Sequence, residues 1–414
     1  MKRIDLLNGE EGTMREIGVL TGGKSRYGGS YQYWLSVIKA LSEITLPDYH
    51  ITVFSKDENW IRIAKEYHLD AVKLNEKKSW MNRRIENNFW GFRHVPLVGR
   101  LLGYLYKHFD CDLKILRKSN LGLYIAQEVN GAGDVLKIPA LMPIFDLMHR
   151  YDHRFPELTS GYEWREQYYT HQCQVAEIIL ADSEVGKQHI VESYGSLRKD
   201  LDKHVKILPF IPPDYIYTAV PKPPKEELFD KFIFYPAQFW THKNHKNLIL
   251  AASRLKKKGI PVKLVFVGSE QNNKENVLKW IEQENLEEDI RILGYVTNDE
   301  MVYLYKNARA MVMPTCLGPT NIPQLEAFEL GCPVATSGIY GIPDQVGDAA
   351  LLFNPDSVEE IADCVERLWT DDGLCETLIQ KGREKAAAWG QKQFGEALFK
   401  IIRDYFEEGV AEKR

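Results

Sequence analysis

Nine residues, Gly318-Pro319-Thr320-Asn321-Ile322-Pro323-Gln324-Leu325-Glu326, run from turn formers into an apolar helical pattern. Pro323 suits the first helical turn and Gly331 the position just past the last one, so the segment reads as a loop feeding a helix N-terminus. Unpaired amides and the positive end of the helix dipole favour an anion there, and a phosphate can rest on the backbone of Asn321 and Ile322. Glu326 falls about one turn in. A carboxylate repels phosphate but accepts two hydrogen bonds from a vicinal diol such as a ribose, each worth about 1.5–3 kcal/mol when charge-assisted. A glutamate at such a place also simply complements the dipole, so its company decides. That company is Lys243, in Trp240-Thr241-His242-Lys243-Asn244-His245, a basic stretch just after an apolar run and placed for a flexible ammonium to meet a diphosphate.

These residues need a scaffold, and the sequence supplies its pattern twice. Short Val/Ile/Leu-rich runs alternate with longer helical stretches, which signals parallel sheets covered on both faces. Strands are predicted at residues 16–23, 50–56, 121–126, 141–146, 176–183 and 205–210. A second set is predicted at 232–238, 262–268, 290–296, 308–314, 333–337 and 349–353. Prolines at 209, 212, 213, 221, 223 and 224 mark a linker between the halves, because neither a helix nor a central strand tolerates such a cluster. The expected division is a first Rossmann-like lobe over 1–210, a linker over 211–228, a second lobe over 229–388, and a last helix over 389–414 that crosses back to the first lobe. Ser357 with Glu360 and Thr297 with Glu300 have capping-box spacing. Two doubly wound lobes make the cleft between them the natural ligand site.

The 414 residues carry a formal net charge of -5, which gives no general attraction to nucleic acid. Six dispersed cysteines form neither a CxxC pair nor a disulfide framework, which fits a reducing cytoplasm. Neither a secretory h-region nor a membrane-length apolar run is present, so a cytoplasmic protein is expected. Asp110-Cys111-Asp112 is formally a DxD, a short motif far in sequence from the other chemistry, and no metal is expected.

From about Phe232 to Pro355 the ordered set Lys243, Val267-Gly268, Leu293-Gly294-Tyr295-Val296, Glu326 and Gly331-Cys332-Pro333-Val334 resembles glycosyltransferase family 4. These are retaining enzymes of the GT-B fold, two Rossmann-like doubly wound parallel-sheet lobes facing a central cleft. The resemblance implies a nucleoside-diphosphate sugar as donor substrate and no cofactor. It further implies that Gly294, Tyr295 and Val296 line a base pocket, that Glu326 holds the ribose and Lys243 the diphosphate, and that the backbone at Asn321 and Ile322 takes the distal phosphate or sugar. Two positions depart from the pattern: Gly318 stands where a sugar-contacting glutamate is usual, and Gln238 where an arginine is. His242 or His245, if protonated, is a candidate to offset the missing arginine charge.

In the first half, Thr21-Gly22-Gly23-Lys24-Ser25-Arg26-Tyr27-Gly28-Gly29-Ser30 joins the first strand to a helix, and by resemblance Gly28 and Gly29 close over the donor phosphates. Where many relatives have His-Asp this chain has Phe145-Asp146, leaving Asp146 and His149 as candidates to orient or deprotonate an acceptor hydroxyl. Residues 77–108 mix seven basic side chains with aromatic and aliphatic ones, which suits either an anionic membrane surface or an ordinary helical insertion. The expected activity is sugar transfer, with retention of configuration, to a glycan or lipid-linked acceptor in cell-envelope polysaccharide assembly, at the inner face of the membrane if residues 77–108 dock there. The alternatives are a catalytically degenerate scaffold subunit, suggested by Gly318, Gln238 and Phe145, and a sugar-nucleotide epimerase on the same scaffold.

Overall fold

The computed structural model describes residues 14–21, 28–43, 48–75, 78–127 and 130–411. The first sheet holds β1 (Arg15–Thr21), β2 (Tyr49–Ser55), β3 (Asp70–Lys73), β4 (Leu123–Ala126), β5 (Ala140–Pro143), β6 (Ile178–Ala181) and β7 (Val205–Ile207) in the order β3-β2-β1-β4-β5-β6-β7. The second holds β8 (Ile233–Pro236), β9 (Leu264–Val267), β10 (Ile290–Gly294), β11 (Ala310–Met313), β12 (Val334–Ser337) and β13 (Ala350–Phe353) in the order β10-β9-β8-β11-β12-β13. Every strand pair is parallel. Central strands such as Leu-Val-Phe-Val in β9 and Ala-Met-Val-Met in β11 are buried at every position because helices cover both faces.

The sequence pattern missed β3. Its four residues, Asp-Ala-Val-Lys, sit on the sheet edge with exposed ends, so they carry no apolar run. In both sheets the chain reverses direction of growth at one point, between β1 and β4 in the first and between β8 and β11 in the second. The loops leaving these four strands therefore flank a crevice at the carboxyl edge of each sheet.

The helix Gln391–Ala411 packs on the first lobe, with Phe394, Leu398, Ile402 and Phe406 in the same core as Tyr33, Val37 and Leu41. Their four-residue spacing lines one helix face, and burying four such side chains contributes roughly 6–12 kcal/mol at most. The junction near it is tied by the Trp389 indole, which donates to the Pro209 carbonyl at 3.3 Å. Between the lobes, the proline-rich stretch is interrupted by a short helix, Tyr215–Thr218, which touches the second lobe. At Thr297 and Glu300 the capping box is complete. At Ser357 only half of it forms, because the Glu360 carboxylate accepts from the amide of Asn354 instead.

Candidate functional site

The helix Ile322–Leu330 begins in the crevice beyond β11, with Pro323 in its first turn and Gly331 closing it in the left-handed conformation, φ 69°. Glu326 lies on its inner face and is buried. The Tyr215 hydroxyl donates to Glu326 Oε1 at 2.8 Å and the Tyr305 hydroxyl to Oε2 at 2.6 Å. Burial pushes the carboxyl of Glu326 above its usual range, and the two phenols offset part of that. Each carboxylate oxygen keeps a second lone pair, so a diol can still be accepted. Tyr215 comes from the interlobe linker and Tyr305 from the helix Asn298–Asn307.

Lys243 follows β8 on a single tight turn, Thr241–Lys243, which ends on Asn244 in the left-handed region that asparagine tolerates. The Tyr235 hydroxyl fixes the backbone by donating to the Lys243 carbonyl at 2.7 Å. Among the described residues no hydrogen bond or ion pair is made by its ammonium. Burial lowers its pKa to about 8, and the field of Asp146 across the cleft works against that. A half-buried cation without a counter-ion is the clearest electrostatic feature of the site.

Next to it, Gln238 is exposed, with its Oε1 accepting from the Trp240 indole at 2.9 Å. Gly268, at the end of β9, has φ 151°, and a Cβ there would lie 2.3 Å from the Ala237 carbonyl oxygen, so only glycine lets the two strand ends approach. Gly294 ends β10, Tyr295 beyond it is 61% exposed, and Val296 is buried beneath. Tyr295 also acts electrostatically on Tyr215, which places it beside the Tyr215–Glu326 pair.

Three sequence expectations need correction. His245 is fully buried among Tyr235, Phe239 and Phe266, and burial lowers its pKa to about 3, so it stays neutral and replaces no arginine charge. His242 is likewise pushed down by burial, and its Nδ1 lies 2.6 Å from Glu157 of the first lobe rather than facing an open crevice. His149 is 0% exposed, stacks on Tyr169 and has Nε2 2.7 Å from Glu166 Oε1. That ring has no face open to a reacting hydroxyl. Asp146 remains at the cleft, half-buried, with Oδ1 accepting from the Met148 amide at 3.0 Å.

The loop before Ile322 is stiffer than its glycine suggests. Gly318 has φ 108°, and a Cβ there would lie 3.0 Å from the Asn321 side-chain amide. Asn321 exchanges two hydrogen bonds with Gln345, its amide donating at 3.0 Å and its carbonyl accepting at 2.7 Å. One of the two amides expected to meet a phosphate is thus already engaged, and Ile322 opens the helix proper. Across the cleft, Gly29 comes within van der Waals distance of Ile322, a Cβ on it lying 3.6 Å from Ile322 Cδ1. Gly28 stands beside it, whereas residues 22–27 of the glycine-rich loop lie outside the described residues.

Residues that the sequence reading passed over hold the lobes against each other. Asp182, just past β6, accepts from the Thr320 hydroxyl, and burial raises its pKa to about 6. Glu157 accepts from the His242 amide at 2.9 Å and from Asn272 at 2.8 Å; these bonds outweigh burial and hold its carboxyl down to about 2. Arg154 makes two 3.0 Å bonds to Asp356. Only their positions after first-lobe strands hinted at a role. The DxD carboxylates are employed structurally: Asp110 caps the helix Cys111–Lys118 and pairs with Lys78, while Asp112 accepts from the Asn75 amide at 3.0 Å.

Residues 218–385 match the family model described as glycosyl transferases group 1. The second lobe thus resembles a group 1 glycosyl transferase domain. A 97-residue stretch of the chain is 36% identical to the O-antigen chain mannosyltransferase B of Escherichia coli, covering 23% of this chain and 26% of that protein. The chain thus aligns with about a quarter of that relative's length. Among solved structures, a glycosyltransferase from Rickettsia africae superposes with a TM-score of 0.66 at 14% identity, over 94% of this chain and 98% of that one. Anabaena HepE, solved with UDP and glucose, superposes with a TM-score of 0.65 at 14% identity, over 94% and 100%. The glycosyl transferase domain therefore sits in a full GT-B frame, with the Gly294–Glu326 crevice on its cleft side. Among the described residues no helix is long and apolar enough to cross a membrane.

Proposed function

We propose that the protein transfers a sugar from a nucleoside-diphosphate sugar to a glycan or lipid-linked acceptor, with retention of configuration. The observation that carries this reading is the unpaired Lys243 ammonium at the sheet crevice that also holds Glu326 and the start of the Ile322 helix. In this arrangement Tyr295 stacks on the base, Glu326 takes the ribose diol and Lys243 neutralises the diphosphate. Transfer breaks the bond between the anomeric carbon and the diphosphate and forms one to the acceptor oxygen on the same face. The acceptor proton passes to the departing diphosphate, with Asp146 orienting the hydroxyl. Most of the rate enhancement then comes from stabilising the leaving group.

The mannosyltransferase relative makes nucleoside-diphosphate mannose the first donor to test and UDP-glucose the second. Lys243→Ala and Glu326→Ala should each weaken nucleotide binding roughly ten- to a hundredfold, the loss of one or two charge-assisted bonds. Calorimetry with donors and free nucleotides checks this. Absence of nucleotide binding by the unsubstituted protein overturns the proposal, and binding without turnover over a broad acceptor panel favours the scaffold reading.

A membrane-apposed acceptor is the reading favoured by residues 80–109. Nine of the eighteen large exposed hydrophobic residues among the described ones fall there, including Leu97, Leu101 and Tyr104 on one side of the helix Pro96–Phe109. Arg100 and Lys107 accompany them, the pairing that an anionic lipid surface attracts.

A further inference from the structure

The same insert has a second, inward face. A cavity of about 420 Å³ opens between the helix Trp80–Phe92 and the helix Tyr162–Val175, within the size range of small-molecule sites, about 300–1,000 Å³. Its walls combine aromatic planes with fixed polar groups. Trp164 and Tyr168 stack at 5.4 Å with an angle of 17° between them, four residues apart on one helix face, and Trp164 is 66% exposed. Trp90 forms another wall, with the guanidinium of Arg93 lying over its ring at 5.0 Å. The Nε–H of Arg93 is buried and has no hydrogen-bond partner among the described residues. Gln167 and His171 lie on the same wall as Tyr168, and His171 is held with Nε2 3.0 Å from Asp134.

An exposed tryptophan stacked on a tyrosine presents apolar area to water at a cost. One ligand class covers that area and matches the polar groups around it. A pyranose ring presents a face of C–H groups to an indole and a rim of hydroxyls to planar donors and acceptors. An aliphatic chain leaves the polar groups of the wall, Gln167 and His171 among them, unmatched, and a phosphate meets Glu86.

We infer that this cavity is a saccharide subsite that holds a neutral sugar residue of the acceptor glycan, one or more units back from the hydroxyl that receives the new sugar. The inference rests on the transferase reading above and extends it to the acceptor. Its position agrees. The Tyr168 hydroxyl donates to the Gln127 carbonyl at 2.6 Å, and Gln127, just past β4, accepts from the Trp34 indole at 3.3 Å and from Ser30 at 3.5 Å. Ser30 adjoins Gly29, which faces Ile322 across the cleft. The cavity wall is therefore tied to the carboxyl edge of the first sheet, the side on which Gly29 stands.

The test measures binding of manno-, gluco- and galacto-oligosaccharides of two to five units to the full chain by calorimetry, without nucleotide, and binding of UDP and GDP separately. At least one oligosaccharide series should bind. Trp164→Ala should weaken that binding about tenfold, and Trp164→Phe should recover most of it, since a smaller ring keeps a stacking face. Trp164 is exposed, so its replacement leaves the core intact. Nucleotide binding without binding of any oligosaccharide, or glycan affinity indifferent to Trp164→Ala, overturns the subsite. Glycan binding without nucleotide binding leaves the subsite standing and overturns the transferase reading.

Discussion

Lys243 shows how a single charge is tuned by its surroundings. Burial places its titration at about 8, so it is an ammonium at neutral pH and loses its proton just above it. A bound diphosphate favours the charged form, so nucleotide binding takes up a proton once the pH exceeds 8, and affinity falls as pH rises from there. The dissociation constant for a nucleoside diphosphate should be flat from pH 6.5 to 7.5 and several-fold larger by pH 9. In Lys243→Arg the rise should disappear, because a guanidinium keeps its charge throughout. Titration calorimetry at five pH values measures it; a flat profile for the unsubstituted protein removes Lys243 from the diphosphate site.

The loop and first turn of the helix Ile322–Leu330 explain a departure that the sequence alone leaves ambiguous. Gly318 replaces the family's glutamate, and a substitution by Glu looks like a restoration. The backbone argues otherwise: φ is 108°, and a Cβ would crowd Asn321 and the Thr320 carbonyl. Such strain costs about 1–3 kcal/mol, or a melting temperature lower by roughly 2–12 °C in a lobe of this size. Gly318→Glu should melt lower and transfer no faster. Scanning calorimetry with a transfer assay decides it, and a variant of equal stability and higher turnover shows that the loop accommodates the family's residue after all. The same element links back to the first lobe through Thr320 and Asp182.

Over the whole molecule, two sets of contacts set what the protein can approach. Glu157, Asp182 and Arg154 tie the lobes at three places around the cleft, and Met148, Phe155, Leu158, Cys316 and Leu317 form an apolar cluster between them. The apolar edge at residues 80–109 lies on the first lobe, remote in sequence from the crevice of Lys243 and Glu326. If that edge meets lipid, vesicles containing an anionic phospholipid should float the protein at low salt, and release it when Leu97 and Leu101 are both replaced by Ser. Flotation that is equal for the double variant, or absent altogether, sinks the membrane reading without touching the catalytic one.

How much of this was legible beforehand follows from the range of each interaction. Apolar runs, proline clusters and the Asn321–Gly331 helix signals are local, so both sheets, the strands other than β3, and the turn bearing Lys243 could be read directly. Glu326 and Lys243 were legible because a helix N-terminus and a strand end carry their own chemistry. The partners were not. That Tyr215 and Tyr305 grip Glu326, that Glu157 claims His242, and that His149 and His245 are sealed from the cleft depend on residues up to more than a hundred positions apart. The aromatic cavity of the insert likewise needs Trp90 and Trp164 side by side. The sequence by itself singled out candidate nucleotide-binding groups. The tertiary structure decided which of them remain exposed, charged and unpaired, because burial and distant partners, not residue type, set those properties.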